Sequence, residues 1–100
     1  MVVASPVRID RSRIEELAAK EQKRLDDSTQ KSGEMYEWAR RTLAGGVASS
    51  YQVRDPWPIY INEGRGSKVW DVDGNERIDY HNGFGSMVQG HANPYIVEAV

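Results

Sequence analysis

The stretch Gly64 to Asp79, reading Gly-Arg-Gly-Ser-Lys-Val-Trp-Asp-Val-Asp-Gly-Asn-Glu-Arg-Ile-Asp, constrains the fold of this chain more than any other. Gly64 and Gly66 supply a tight bend where positive φ costs nothing, and Asp73-Gly74 is the kind of pair that closes a two-residue hairpin. Apolar Val69, Trp70, Val72 and Ile78 flank that turn. The pattern predicts an antiparallel meander, with Ile59-Tyr60-Ile61 as its first strand, Lys68 to Val72 as its second and Glu76 to Tyr80 as its third. Three short strands cannot cover both faces of their own sheet, so the meander calls for a body to pack on.

The segments before it are helical in pattern. Met1 to Ile9 has no periodicity and reads as a frayed terminus. Ser12-Arg13-Ile14-Glu15 fits a capping box that starts a helix, with Ile14, Leu17, Ala18 and Leu25 as a thin apolar stripe and Glu16–Lys20 as an i,i+4 pair. So narrow a stripe suits a helix lying on a larger body or a partner subunit. The polar stretch Asp27 to Ser32 predicts a break, and a second helix is expected from Gly33 to Leu43, ended by Gly45-Gly46. Val47 to Pro58 is expected to be irregular, with Pro56 and Pro58 holding the residues before them extended. Two aromatics stand in the first fifty residues and seven in the second fifty, which places the core-forming material in the later half.

After the meander, Gly83-Phe84-Gly85-Ser86 reads as a loop, and Asn93-Pro94 as the N-cap and first position of a final helix. That helix carries no stop signal before Val100, so the chain is expected to continue beyond it.

Several function classes are disfavoured. A net charge of −2 argues against a nucleic-acid module. The absence of cysteine removes disulfides and thiolate chemistry from this stretch and is compatible with a reducing compartment. No run approaches the length of a membrane span, and a soluble cytoplasmic protein is the expectation. Asp71-Val72-Asp73-Gly74-Asn75 fails as a calcium loop, because counting from Asp71 the sixth and twelfth positions are Glu76 and Asn82. Gly64-Arg65-Gly66 and Gly83-Phe84-Gly85 fail as nucleotide fingerprints, since Val69 and Val88 stand where a third glycine is needed. His81 and His91 lack partners at a metal-ligand spacing and are read as structural hydrogen-bonding residues, so no metal is expected. Lys20, Lys23, Lys31 and Lys68 lack the apolar setting that makes an amine nucleophilic, so no catalytic residue is assigned.

Taken together, Leu43-Ala44-Gly45-Gly46-Val47-Ala48-Ser49, Pro58-Ile59-Tyr60-Ile61, Gly64 to Tyr80 and Gly90-His91-Ala92-Asn93-Pro94 resemble the N-terminal part of class III pyridoxal-phosphate aminotransferases. The likeness is greatest to the glutamate-1-semialdehyde aminomutase and β-amino-acid aminotransferase branch, and covers roughly Tyr36 to Val100. It implies an α+β segment, N-terminal helices followed by a three-stranded antiparallel meander, within the small domain of a fold-type I homodimer. Residues 1–32 would be an N-terminal extension with a charged amphipathic helix. Residues 33–100 would be the N-terminal part of the aminotransferase, leading into the large domain. It implies an amino group passed between an amine or amino acid and a keto acid or aldehyde, with the pyridoxal 5'-phosphate bound mainly by residues beyond Val100. These 100 residues alone would then be inactive.

The resemblance also places the substrate side of the pocket. Gly83-Phe84-Gly85-Ser86 aligns with the family's Ser-Trp-Gly-Pro, which makes Phe84 an apolar wall. The family's Gly-Gly-Val-Asn-Ser-Pro-Val-Arg ends in an arginine that can clamp a carboxylate, whereas this chain has Gln52 there. A neutral amide cannot make that charge-assisted fork, which favours an aminotransferase over an aminomutase. Arg54 takes over the clamp only if the loop shifts. The substrate-binding candidates are therefore Ser49, Tyr51, Gln52, Arg54 and Phe84. A reading of a different class is a non-catalytic interaction module built on the helix and meander.

Overall fold

The computed structural model describes residues 9–100; the terminus expected to fray lies, apart from Ile9, outside them. The first helix, α1 (Arg11–Asp27), starts two positions earlier than a Ser12 cap would allow. Asp10 is the cap: its carboxylate accepts from the Arg13 backbone N–H at 3.1 Å and from the Ser12 hydroxyl at 2.7 Å. Those hydrogen bonds, Ser12 first and then Arg13, hold the Asp10 carboxyl below its ordinary range. Glu16 pairs with Arg13 at 2.8 Å rather than with Lys20, and no residue of α1 is buried.

The second helix, α2 (Gln30–Ala39), also differs from expectation at both ends. It begins three residues before Gly33 because its cap comes from far away in sequence. Thr29 makes no side-chain cap; the Asp73 carboxylate accepts instead from the backbone N–H of Lys31 (2.6 Å) and Ser32 (3.0 Å) and from the Ser32 hydroxyl (2.9 Å). An anion at a helix N-terminus meets both the free amides and the positive end of the dipole. The helix stops at Ala39, whose carbonyl accepts from the backbone N–H of both Thr42 and Leu43, and the chain then turns through left-handed Gly45 and Gly46. Any side chain at Gly46 is strained, since φ is 68° and a Cβ there would lie 2.7 Å from the Tyr36 ring.

The sheet has the expected order: β1 (Ile61–Arg65), β2 (Lys68–Asp71) and β3 (Glu76–Ile78), antiparallel, with β2 central. Its turns exchange the roles expected of them. The two-residue turn is Gly66-Ser67, between the paired Arg65 and Lys68, with Gly66 at φ 57°. Asp73-Gly74 belongs to a three-residue connection, Val72-Asp73-Gly74, closed by the Asp71 N–H on the Asn75 carbonyl (3.2 Å) with Gly74 at φ 88°. β1 starts at Ile61 rather than Ile59, and β3 ends at Ile78 rather than Tyr80.

The longer connection is what docks the sheet on the helices. Asp71 is 2% exposed, and its carboxylate accepts from Arg77 Nη2 (2.7 Å) and Nε (3.0 Å), the Asn75 N–H (2.8 Å) and the Asp73 N–H (3.2 Å). Burial by itself would raise this carboxyl, but the hydrogen bonds from Arg77 and Asn75 and the Arg77 charge outweigh it and hold it low. Asn75 Nδ2 donates to the Ser28 carbonyl (2.8 Å), and Trp57 Nε1 donates to the Thr29 hydroxyl (3.0 Å). Among the described residues Thr29, Ser32 and Asp71 are the largest fully buried side chains, and the buried apolar ones are few, chiefly Ala39 and Val69. The centre of the segment is thus a hydrogen-bonded polar junction, while Ile61 and Ile78 stay exposed, as a sheet with an uncovered face requires.

The last helix, α3 (Pro94–Ala99), starts as expected, with Asn93 Oδ1 accepting from the Tyr95 N–H at 3.0 Å.

Candidate functional site

Two loops, thirty residues apart in sequence, meet beside this scaffold. The first is a 3-10 turn, Ser50–Gln52, following Ser49. The Gln52 N–H donates to the Ser49 carbonyl (3.0 Å) and the Gln52 side-chain Oε1 accepts from the Ser49 N–H (3.1 Å), which turns the intervening Tyr51 outward, 54% exposed.

The second loop is built on Asp79. One carboxylate oxygen accepts from the N–H groups of His81 and Asn82, both at 2.9 Å, and the other meets His91 Nε2 at 2.6 Å. The Asn82 N–H, then His91, hold the Asp79 carboxyl below its ordinary range. His91 is itself fixed to the β1–β2 turn through a two-way backbone bridge with Gly66 (2.8 and 2.9 Å). Gly64 is needed beneath it, since a Cβ would lie 2.7 Å from the His91 ring. The structural reading of His91 matches this geometry.

From that anchor the backbone takes four successive left-handed residues, Asn82 (φ 52°), Gly83 (56°), Phe84 (57°) and Gly85 (81°). Two glycines make this affordable, but a bulky side chain at positive φ is strained. The turn is held by Ser86 Oγ donating to the Gly83 carbonyl (2.7 Å) and the Met87 N–H donating to the Asn82 carbonyl (3.1 Å). It leaves Phe84 77% exposed.

The two loops join through three rings. Tyr51 and His81 are stacked, with centroids 5.4 Å apart and planes 9° apart; Phe84 stands edge-on to both, 5.0 Å from Tyr51 and 4.3 Å from His81. The structure therefore brings together two of the residues expected to bind substrate, Tyr51 and Phe84, and adds His81. The sequence offered His81 only as a structural hydrogen-bonding residue; its Nδ1 does accept from the Phe84 N–H at 3.4 Å, but its ring contacts are not revealed by spacing.

The other candidates lie apart from the rings. Gln52 points its amide oxygen back to Ser49 and lines a cleft of about 350 Å³ with Leu43, Val47, Pro58 and Tyr60. Burial, and then the neighbouring Tyr36, push the Tyr60 hydroxyl up, and it donates to the Gly46 carbonyl at 2.5 Å. Arg54 is engaged by Asp26 (Nη2 to Oδ1, 3.2 Å) and by the Trp57 carbonyl (3.1 Å). Among the described residues, no three of His, Asp and Glu are grouped as metal ligands.

Comparison with known proteins places this arrangement. The family model described as aminotransferase class-III matches residues 49–100, which takes in both loops and the whole hairpin. A glutamate-1-semialdehyde 2,1-aminomutase of Methanosphaera stadtmanae is 46% identical over 68 residues, covering 68% of this chain and 16% of its own length. An omega-transaminase from Sphaerobacter thermophilus superposes with a TM-score of 0.64 at 40% identity, over 68% of this chain and 16% of that one. A glutamate-1-semialdehyde-aminomutase from Pseudomonas aeruginosa PAO1, in complex with PMP, superposes with a TM-score of 0.79 at 28% identity, over 91% of this chain and 20% of that one. The chain thus spans about a sixth of the length of the curated relatives it matches.

Proposed function

The chain belongs to the class III aminotransferase family, and on that premise we propose that it is the N-terminal portion of a pyridoxal-phosphate-dependent aminotransferase. The full-length protein would transfer an amino group between an amine or amino acid and a keto acid or aldehyde. The supporting observation is where the family match falls: it begins at Ser49, runs through the hairpin, and includes both loops that meet in the ring cluster. We divide the chain into an extension, residues 1–32, and the start of the aminotransferase proper, residues 33–100. A homodimer in the cytoplasm is the accompanying proposal; no helix among the described residues is long and apolar enough to cross a membrane.

Pyridoxal phosphate, when bound, supplies an electron sink for the carbon that bears the amine. The lysines of this segment do not fit its covalent anchor. Lys23 pairs with Asp27 at 2.6 Å and is 75% exposed, Lys68 pairs with Glu76 at 2.6 Å and is about half exposed, and Lys20 and Lys31 are exposed. The anchor and the phosphate site are therefore assigned to residues outside this segment, and the segment alone is expected to be inactive. Its own contribution is to shape the substrate side of the pocket, through Ser49, Tyr51, Gln52 and Phe84. Arg54 joins them only if it leaves Asp26.

An aminomutase is the second reading, favoured by the names of the curated relatives and weakened by Gln52 at the position of the family's arginine. Purified full-length protein decides between them. The expected result is visible cofactor absorbance abolished by borohydride, with the amino group passed between two different molecules, so that the donor's carbonyl product and the acceptor's amine product form in equal amounts. Isomerisation of a single amino aldehyde without a second carbonyl product supports the aminomutase, and protein without cofactor absorbance overturns both. Gln52→Ala is expected to change the ranking of acceptors; an unchanged ranking removes Gln52 from the site.

A further inference from the structure

The Ser49–Gln52 turn is tied to the rest of the segment through one side chain. Among the described residues, the hydrogen bonds that leave the stretch 47–56 all come from Arg54, whose Nη2 donates to Asp26 Oδ1 at 3.2 Å and whose Nη1 donates to the Trp57 carbonyl at 3.1 Å. The turn's other hydrogen bonds close on themselves: the Gln52 N–H on the Ser49 carbonyl, the Ser49 N–H on Gln52 Oε1 and the Val53 N–H on the Ser50 carbonyl. Bonds of that kind set the shape of the turn. Its placement is left to Arg54 and to the contacts of the Tyr51 ring.

The far end of this tether is itself anchored. Asp26 lies in the last turn of α1, where Gln22 Nε2 donates to the same carboxylate oxygen at 2.8 Å, and the Asp26 and Arg54 side chains are both only about a quarter exposed. The fully buried Thr29 donates its hydroxyl to the Leu25 carbonyl (2.8 Å) and accepts from Trp57 Nε1 (3.0 Å), and the Trp57 ring packs over Gly33, where a Cβ would lie 3.1 Å from it. Both acceptors of Arg54 are thus fixed to the joint between α1 and α2. To take a substrate carboxylate the guanidinium would first have to give up a charge-assisted bond and a carbonyl.

Resting on the aminotransferase reading above, we propose that Asp26 is a positioning residue of the substrate pocket. It holds Arg54, Arg54 holds the Ser49–Gln52 turn in place, and Arg54 does not bind the substrate. The end of α1, within the stretch assigned to the extension, is then a working part of the pocket.

The test is steady-state kinetics of the full-length holoenzyme with its best acceptor among short keto acids and aldehydes. Asp26→Asn and Arg54→Gln are each expected to raise KM about 3- to 10-fold, with kcat held within about twofold and cofactor absorbance retained. The two together should do no more than either alone, because they cut the same link. Exchanging the charges, Asp26→Arg with Arg54→Asp, is expected to recover most of the KM, and Asp26→Glu, which keeps the carboxylate, to do the same should the exchanged protein fold poorly. An unchanged or lowered KM in Asp26→Asn overturns the proposal, the lowered value making Arg54 a substrate ligand that Asp26 withholds. Additive losses, or no recovery in either charge-keeping variant, overturn it as well. Wild-type protein without cofactor absorbance or amino transfer removes the functional reading instead, and this inference with it.

Discussion

The α2–hairpin junction and the ring loops belong to the same small segment, yet their chemistry is opposite. At the junction the side chains are polar, cross-linked and mostly buried or half-buried: Asp71 binds Arg77, Asp73 caps α2, and Asn75 reaches the Ser28 carbonyl. In the ring loops the side chains are exposed and aromatic, and the backbone rather than the side chains carries the strain. The contrast separates two tasks. A segment with little apolar core fixes its shape through satisfied polar groups, and leaves its large apolar surfaces free to meet something else.

Substitutions on the two sides should therefore behave differently. The largest effect is expected from Asp71→Ala, which strips a buried carboxylate from Arg77; it should cost the full-length protein about 3 kcal/mol, measured by chemical denaturation. A loss below about 1 kcal/mol would mean that the junction does not carry the fold. Gly46→Ala places a methyl 2.7 Å from the Tyr36 ring at φ 68°, and should cost about 2 kcal/mol in the same measurement. Asp73→Ala removes the cap of α2 and should cost about 1 kcal/mol, with Asp73→Asn recovering part of it. Asn82→Gly should run the other way, leaving stability equal or higher by up to about 0.5 kcal/mol, because it relieves a left-handed residue in the strained loop.

The junction and the base of the second ring loop each predict an acid response. Asp71 and Asp79 have folded-state pKa values below their unfolded ones, so the stability they contribute is fully present above the ordinary carboxylate pKa. It is lost as the pH falls through the lowered folded values, and thermal stability should drop below about pH 4. Asp71→Asn should flatten that dependence; an equally steep fall in the variant would assign it to other carboxylates.

Much of the scaffold was legible in the sequence. Alternating apolar residues and turn glycines were enough for three antiparallel strands in their order, and Asn93-Pro94 for the start of α3. What escaped depended on distant partners. Asp73 acts on a helix more than forty residues away, so the start of α2 is three residues earlier than a local window allows. Asp10 replaces Ser12 as the first cap, an ionised acceptor standing two residues ahead of the hydroxyl. Gly66-Ser67 rather than Asp73-Gly74 makes the two-residue turn, because the Asp71 N–H bonds the Asn75 carbonyl and leaves three residues between them. Tyr51 and Phe84 were reached through family resemblance, whereas His81 joins them only because two loops fold onto each other, and Arg54 is tied by Asp26 from α1.

A crystal structure of the full-length holoenzyme with a bound amino donor tests the division between scaffold and substrate surface most directly. The account predicts the ligand within about 4 Å of Tyr51 or Phe84, with the Asp71–Arg77 junction remote from it. A ligand seated elsewhere, with both side chains covered by protein, would contradict it.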